Sequence, residues 1–307
     1  METRRLGGDG PDLSVVGLGC NNFGMKLDLA AGAAVIEAAL DAGITHFDTA
    51  EMYGPGTSEE IIGATLGTRR DAVVLATKFT PRPQDEPYRP GILRDRIVAA
   101  CEASLTRLRT DRIDLYYQHY PDPAAPVEEG LAALDELVRA GKVRYLASSN
   151  VSGAQISDAA RAAEKSGGAR FTGTQVEWSL LVREVEREVV PAARTEHLGI
   201  VPYFPLASGL LTGKYRRGAD FPPGSRFALA ARFADRYVAD ENFDRVERWT
   251  EFAAERGHTL LELAIGWLLA QEPVSSVIAG ATTPEQVRQN VAAGAWRLTA
   301  ADLAALG

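Results

Sequence analysis

Four side chains with complementary proton chemistry stand at Asp48, Tyr53, Lys78 and His119. Tyrosine is a poor proton donor near neutrality, because its free pKa is about 10. A neighbouring ammonium stabilises the phenolate and lowers that value. Lys78 is the candidate ammonium, and Asp48 the carboxylate that would hold it charged and in place. His119 would orient a substrate oxygen or relay a proton. Together the four would deliver a proton to a carbonyl oxygen. Singly, each has a plainer reading: a structural Lys–Asp pair, a rim aromatic, a hydrogen-bonded core histidine. Their positions favour chemistry, because each stands at or just after the end of a short apolar run. Tyr53 follows Asp48 in the loop Thr49-Ala50-Glu51-Met52-Tyr53-Gly54.

Those apolar runs belong to a repeated unit. Ala/Leu-rich helical stretches stop at Gly43, Gly141 and Gly199, and each is followed by a short strand-like run. Glycine suits the left-handed residue that closes a helix. Short, mostly apolar strands are expected where a parallel sheet is covered on both faces. Strands are expected at 15–19, 45–48, 73–78, 113–119, 143–149, 173–178, 200–204 and 274–279. The helices expected between them include 30–42, 58–66, 92–108, 127–140, 153–165, 187–196 and 284–293. Eight strands alternating with helices over this length predict an α/β fold, a (β/α)8 TIM barrel. An open doubly wound sheet is the runner-up, but Gly17-Leu18-Gly19-Cys20-Asn21-Asn22 lacks the third glycine of a dinucleotide fingerprint. Residues 3–14, centred on Gly7-Gly8-Asp9-Gly10, read as a β-hairpin capping the barrel. Residues 210–240 form a long connection after the seventh strand, of the kind that serves as a lid or binding loop. No domain boundary is evident, so residues 1–307 are expected to form one domain. In a barrel the strand ends converge, bringing Asp48, Lys78, His119, Ser149, Asn150, Gln175, Trp178 and Tyr203 to one face.

Composition narrows the function. The chain is 46% hydrophobic and 24% charged, which excludes global disorder. Its net charge of −8 disfavours a broad nucleic-acid surface, so no nucleic-acid partner is expected. The most apolar stretch, 260–270, contains Glu262 and falls short of the roughly 20 residues a bilayer span needs, so it reads as a buried helix and no membrane partner is expected. Cys20 and Cys101 can build neither a disulfide framework nor a cysteine metal site. With no secretory signal at the N-terminus, the expected setting is the cytoplasm. His46, His119, His197 and His258 form no zinc motif, and no metal is expected.

The run His46-Phe47-Asp48-Thr49-Ala50-Glu51-Met52-Tyr53-Gly54 with Ser58-Glu59 resembles the signature of the aldo-keto reductase superfamily. The resemblance continues in order through Ala76-Thr77-Lys78, Ile113-Asp114-Leu115-Tyr116-Tyr117-Gln118-His119, Pro121-Asp122-Pro123 and Gln175-Val176-Glu177-Trp178-Ser179. It ends in Tyr203-Phe204-Pro205-Leu206-Ala207-Ser208-Gly209-Leu210-Leu211-Thr212-Gly213-Lys214 and Ile278-Ala279-Gly280-Ala281-Thr282. The Gly-Leu-Leu-Thr-Gly-Lys run is similar to that of bacterial and plant members. The resemblance implies a barrel with a hairpin cap and metal-free, NAD(P)H-dependent reduction of aldehydes or ketones, apolar or sugar-like. Tyr53 matches the general acid, Lys78 and Asp48 its tuning pair, and His119 the group that orients the carbonyl. For the cofactor, Tyr203 matches the aromatic stacked on nicotinamide, and Ser149, Asn150 and Gln175 match the carboxamide partners. Phe204, Leu206, Ser208, Gly209 and Lys214 lie in the pyrophosphate run. Thr282, Gln286, Gln289 and Asn290 match the adenosine end, and Asn21, Asp48 and Gly280 complete the set. The substrate pocket is expected to involve Phe23, Met25, Tyr53, Phe79, Tyr120 and the 210–240 loop.

Three departures bear on this reading. Ala147 stands where many relatives have glycine before Ser-Asn. Gln289-Asn290 replaces a commoner Glu-Asn pair, and Gly280-Ala281-Thr282-Thr283 lacks the cation that often grips the 2′-phosphate of NADP. Arg288 is the nearest cation in sequence. NADPH remains the expected cofactor, with NADH the alternative. Two other classes compete. One is a non-catalytic nicotinamide-binding regulatory subunit resembling potassium-channel β-subunits, and the other a Schiff-base enzyme with Lys78 as nucleophile. The small-molecule substrate's identity, the reaction's direction and stereochemistry, and the choice between monomer and homo-oligomer stay open at this level.

Overall fold

Short apolar strands, each buried along most of its length, pair in parallel around a closed core. A computed structural model describes residues 1–81 and 86–306. The antiparallel pair β1 (Thr3–Arg5) and β2 (Asp12–Ser14) comes first, with Arg4 opposite Leu13. Eight parallel strands follow: β3 (Val16–Gly19), β4 (His46–Asp48), β5 (Val74–Phe79), β6 (Ile113–Gln118), β7 (Val143–Ser149), β8 (Phe171–Glu177), β9 (Gly199–Tyr203) and β10 (Val277–Gly280). Their order is β10-β3-β4-β5-β6-β7-β8-β9. The ring closes through a bridge between Ile200 and Val274, where Ile200 N donates to Pro273 O (2.6 Å) and Ser275 N to Ile200 O (3.0 Å). The fold is a (β/α)8 barrel.

The covering helices are α1 (Leu29–Asp41), α2 (Thr57–Leu66), α3 (Ile92–Leu108), α4 (Val127–Arg139), α5 (Gly153–Ser166) and α6 (Val189–Thr195). After β9 come α7 (Arg226–Leu229), α8 (Ala231–Tyr237), α9 (Asp240–Ala254) and α10 (Leu260–Leu269). The last two are α11 (Pro284–Ala293) and α12 (Ala300–Leu306). Several of their starts carry hydrogen-bonding caps. Ser152 and Gln155 form a capping box on α5, Thr259 and Glu262 another on α10, and Thr283 caps α11 ahead of Pro284.

Three sequence expectations are corrected. Of the three glycines, only Gly43 and Gly141 close helices in the left-handed region; at the third site His197 (φ 56°) does so, and Gly199 opens β9. Gly199 is needed there because a Cβ would sit 2.6 Å from Gly7 N and 2.7 Å from Leu6 Cδ1. The strand expected at 274–279 begins at Val277, because residue 274 contributes only the closing bridge. The 210–240 connection is not bare loop but holds α7 and α8. An aromatic cluster stitches it together, with Tyr215 stacked on Phe227 (4.1 Å) and Phe221 against both. Its helices are too short to show a periodicity in sequence.

Leu6 and Leu13 of the hairpin are fully buried with Ala76, Leu115, Tyr117, Ala147, Val201 and Ile278. The hairpin thus plugs the barrel interior at the strand N-termini, leaving chemistry to the opposite end.

Candidate active site

The strand register decides which side chains meet. Asp48 ends β4 beside Ala76, and Lys78 on β5 pairs with Tyr117 on β6. The short β4 lets the chain turn immediately over the barrel mouth. Thr49 Oγ1 and Ser58 Oγ share a hydrogen bond (2.7 Å), and Ser58 Oγ donates to Cys20 O (2.9 Å). Tyr53 N donates to Ala50 O (3.0 Å), which folds the turn and carries Tyr53 back over the strands.

There the four expected residues converge. Lys78 Nζ donates to Asp48 Oδ1 (2.5 Å) and Thr49 O (2.8 Å), with Lys78 0% and Asp48 2% exposed. The same ammonium lies 5.1 Å from the Tyr53 ring centroid and 5.7 Å from that of Tyr117. The His119 ring meets Tyr53 edge-on at 6.0 Å and stacks on Tyr120 at 4.6 Å.

Electrostatics sharpen the roles such groups can play. Burial pushes the Tyr53 phenol above its ordinary pKa, and the Lys78 charge only partly offsets this. The expectation of a net lowering is therefore corrected: desolvation of the phenolate outweighs the ammonium. The phenol stays protonated, as a donor must, and the ammonium is placed to stabilise the anion left after transfer. Burial also works against the Lys78 charge, but Asp48 and Tyr53 outweigh it and hold its pKa above the usual lysine range. That argues against a neutral nucleophilic lysine in this arrangement. Burial, then the Lys78 charge, lowers His119 to about 3, so its imidazole is neutral near pH 7. His119 Nδ1 is buried without a partner.

A hydrogen-bonded chain runs from this group along the strand ends. Gln175 Nε2 donates to Asp48 Oδ2 (2.8 Å), Ser149 Oγ donates to Gln175 O (2.9 Å), and Asn150 Nδ2 donates to Ser149 Oγ (3.1 Å) and His119 O (3.0 Å). Tyr203 Oη donates to Asn150 Oδ1 (2.8 Å). Gln175, expected at a carboxamide, here fixes the second oxygen of Asp48. Beyond Tyr203 the chain takes an unusual path: Phe204, Ala207, Ser208 and Gly209 all have positive φ, and Ser208 Oγ is buried without a partner. Strained backbone of this kind clusters at ligand clamps, and turns in it form anion-binding nests.

Near Gly280-Ala281-Thr282-Thr283 a cation arrives from a remote part of the chain. Arg226 of the long connection donates to Asn22 Oδ1 (3.4 Å), and Asn22 Nδ2 donates to Ala281 O (3.3 Å). Partial burial, then the charges of Arg226 and Lys214, lowers the Lys26 pKa. The sequence offered little sign of this, because the three lie far apart in the chain. The more conspicuous Arg217 is engaged by Asp244 and Glu247, and Arg288 by Glu285 (2.9 Å). At the far end Thr282 donates through N and Oγ1 to Gln286 Oε1 (2.8 and 3.1 Å), Gln289 reaches Glu285 (3.4 Å), and Asn290 is buried. Asn21 Oδ1 lies 3.4 Å from where a Gly280 Cβ would stand, which places Asn21 beside the end of β10. A strained nest and an orphaned hydroxyl beyond Tyr203 fit an anionic group of a dinucleotide.

The expected substrate-pocket residues divide. Tyr53 and Tyr120 flank His119, and Met25 is exposed. Phe23 is fully buried in the core, and Phe79 packs on Tyr116 (5.2 Å) with 1% exposure. Among the described residues, no cluster of His, Cys, Asp and Glu could hold a metal ion, and no helix is long and apolar enough to cross a membrane.

Comparison with known proteins gives concordant relatives. The model of the "Aldo/keto reductase family" matches residues 15–307. The "Probable voltage-gated potassium channel subunit beta" of Arabidopsis thaliana is 36% identical, over 95% of this chain and 91% of its own. Its namesake in Oryza sativa subsp. japonica is 38% identical with the same coverage. So is the "Uncharacterized oxidoreductase YrpG" of Bacillus subtilis, at 38%.

Proposed function

The chain belongs to the aldo/keto reductase family, and from that premise we propose that it is an NAD(P)H-dependent reductase of aldehydes or ketones, with NADPH as the favoured reductant. One observation carries the reading: a fully buried Lys78–Asp48 pair beneath the Tyr53 ring, with neutral His119 alongside. Bound nicotinamide dinucleotide would supply the hydride. Tyr53 O–H would donate the proton to the carbonyl oxygen, and Lys78 would stabilise the phenolate that remains. Asp48, fixed from both sides by Lys78 and Gln175, would keep the ammonium charged and in register. Neutral His119 would orient the carbonyl by a hydrogen bond rather than donate a charge. Asn150 and Ser149 would hold the carboxamide, Tyr203 would stack on the nicotinamide ring, and the 204–209 turn would meet the pyrophosphate. Arg226, linked through Asn22 to Ala281, supports NADPH over NADH, since a 2′-phosphate is the added anion.

The test is NADPH oxidation in the presence of a simple aldehyde. Tyr53→Phe is expected to lower kcat by roughly 10²–10⁴-fold while NADPH still binds. Near-native kcat in that variant would refute the proton-donor role. The plant relatives' names favour a second reading, a regulatory subunit of a potassium channel. Its mark would be nicotinamide binding without appreciable turnover of any carbonyl.

A further inference from the structure

Resting on the reductase reading, we infer that Glu51 and Glu59 are positioning residues for Tyr53: two carboxylates that grip the chain before and after it, tie it to β5 on either side of Lys78, and are each backed by an arginine of α3. Tyr53 stands in the turn after β4, whereas Lys78 stands on β5. The distance between phenol and ammonium is therefore set by whatever joins turn to strand. Proton transfer depends on that distance, since a misplacement of about 1 Å can cost on the order of 100-fold in rate.

The two carboxylates make matching contacts. Ahead of Tyr53, Glu51 N donates to Lys78 O (3.2 Å), while Glu51 Oε1 accepts from the Thr80 amide (2.7 Å) and from Arg96. Beyond it, Glu59 Oε1 accepts from Thr77 Oγ1 (2.6 Å) and Glu59 Oε2 from Arg107 Nε (2.6 Å). Thr77 directly precedes Lys78, and Thr80 follows just past the strand. Arg96 and Arg107 stand about three turns apart on α3, so they share one face of that helix. The Glu59 grip passes straight to Tyr53. Tyr53 O accepts from Gly56 N and Ser58 N (both 3.2 Å), and a Cβ at Gly56 would lie 2.7 Å from Arg107 Cδ, so the arginine stem lies against this turn. Glu59 is 0% exposed. Desolvation offsets most of what such a buried pair gains in attraction, so it adds little net stability. What it supplies is a single geometry.

The experiment measures kcat for a panel of simple aldehydes, and the Kd for NADPH, in the native protein, Glu51→Gln, Glu59→Gln and the double variant. The same substitutions are then made in a Tyr53→Phe background. Glutamine keeps the shape and the accepting oxygen but loses the charge that holds the arginine. Each single variant is expected to lower kcat roughly tenfold and the double variant roughly 100-fold, with the NADPH Kd unchanged. The solvent deuterium isotope effect on kcat should rise, because proton transfer has become slower. In the Tyr53→Phe background neither substitution should lower the residual rate further, since the group they position has lost its proton. Arg96 is 29% exposed and stays hydrated without its partner, so Glu51→Gln reads out even if Glu59→Gln does not fold. Native kcat in Glu51→Gln, or an equal fold-loss in the Tyr53→Phe background, overturns this inference and leaves the reductase reading standing. No turnover of any aldehyde by the native protein overturns both.

Discussion

Asp48 accepts from Lys78 on one oxygen and from Gln175 on the other, which leaves the carboxylate a single buried geometry. The residue types and their strand ends were legible in sequence, but the role of Gln175 was not, because a spacing cannot say which of several polar neighbours an amide meets. The same limit hid Arg226, whose relation to Ala281 runs through Asn22 across the barrel mouth. Replacing Arg226 by Ser tests that placement. The Kd for NADPH, followed by fluorescence quenching, is expected to rise roughly 10–100-fold, the range of one charge-assisted hydrogen bond. The Kd for NADH should change little. An equal loss for both cofactors would remove the 2′-phosphate from the account.

At the scale of elements, the hairpin and the barrel floor are made for each other. A Cβ at Gly173 would lie 2.7 Å from Leu6 Cδ1, so β8 keeps glycine where the leucine enters. Leu6→Ala is expected to lower stability by about 2–5 kcal/mol, since it empties a fully buried site. Gly173→Ala should also destabilise the native protein, yet cost less in the Leu6→Ala background, where its methyl finds room. Urea denaturation of the two single variants and the double variant measures this; simple additivity would mean that the two positions do not share one cavity. The hairpin itself could be read from its glycine-rich centre. Its task as a plug could not, because alternation shows which face is apolar and not what that face will cover.

For the whole molecule, acid stability follows from two buried histidines. Burial lowers His46 to about 4 and His119 to about 3, both below the unfolded value of about 6.5. As pH falls through 6.5 the unfolded chain takes up protons that the folded chain refuses, so stability is lost progressively toward about pH 4. His46 alone should account for about 2 kcal/mol between roughly pH 7.5 and pH 5. Urea midpoints across that range check it, and a flat profile would mean that these rings are solvated in the native state. The strand-helix alternation and the placing of Asp48, Tyr53, Lys78 and His119 near strand ends were legible in sequence, because burial periodicity and helix termini are local properties. The closure of the ring through Ile200 and Val274, the link from Arg226 through Asn22 to Ala281 and the net rise of the Tyr53 pKa were decided by tertiary structure alone. Each depends on distance and desolvation between groups remote in the chain, and no local pattern encodes those.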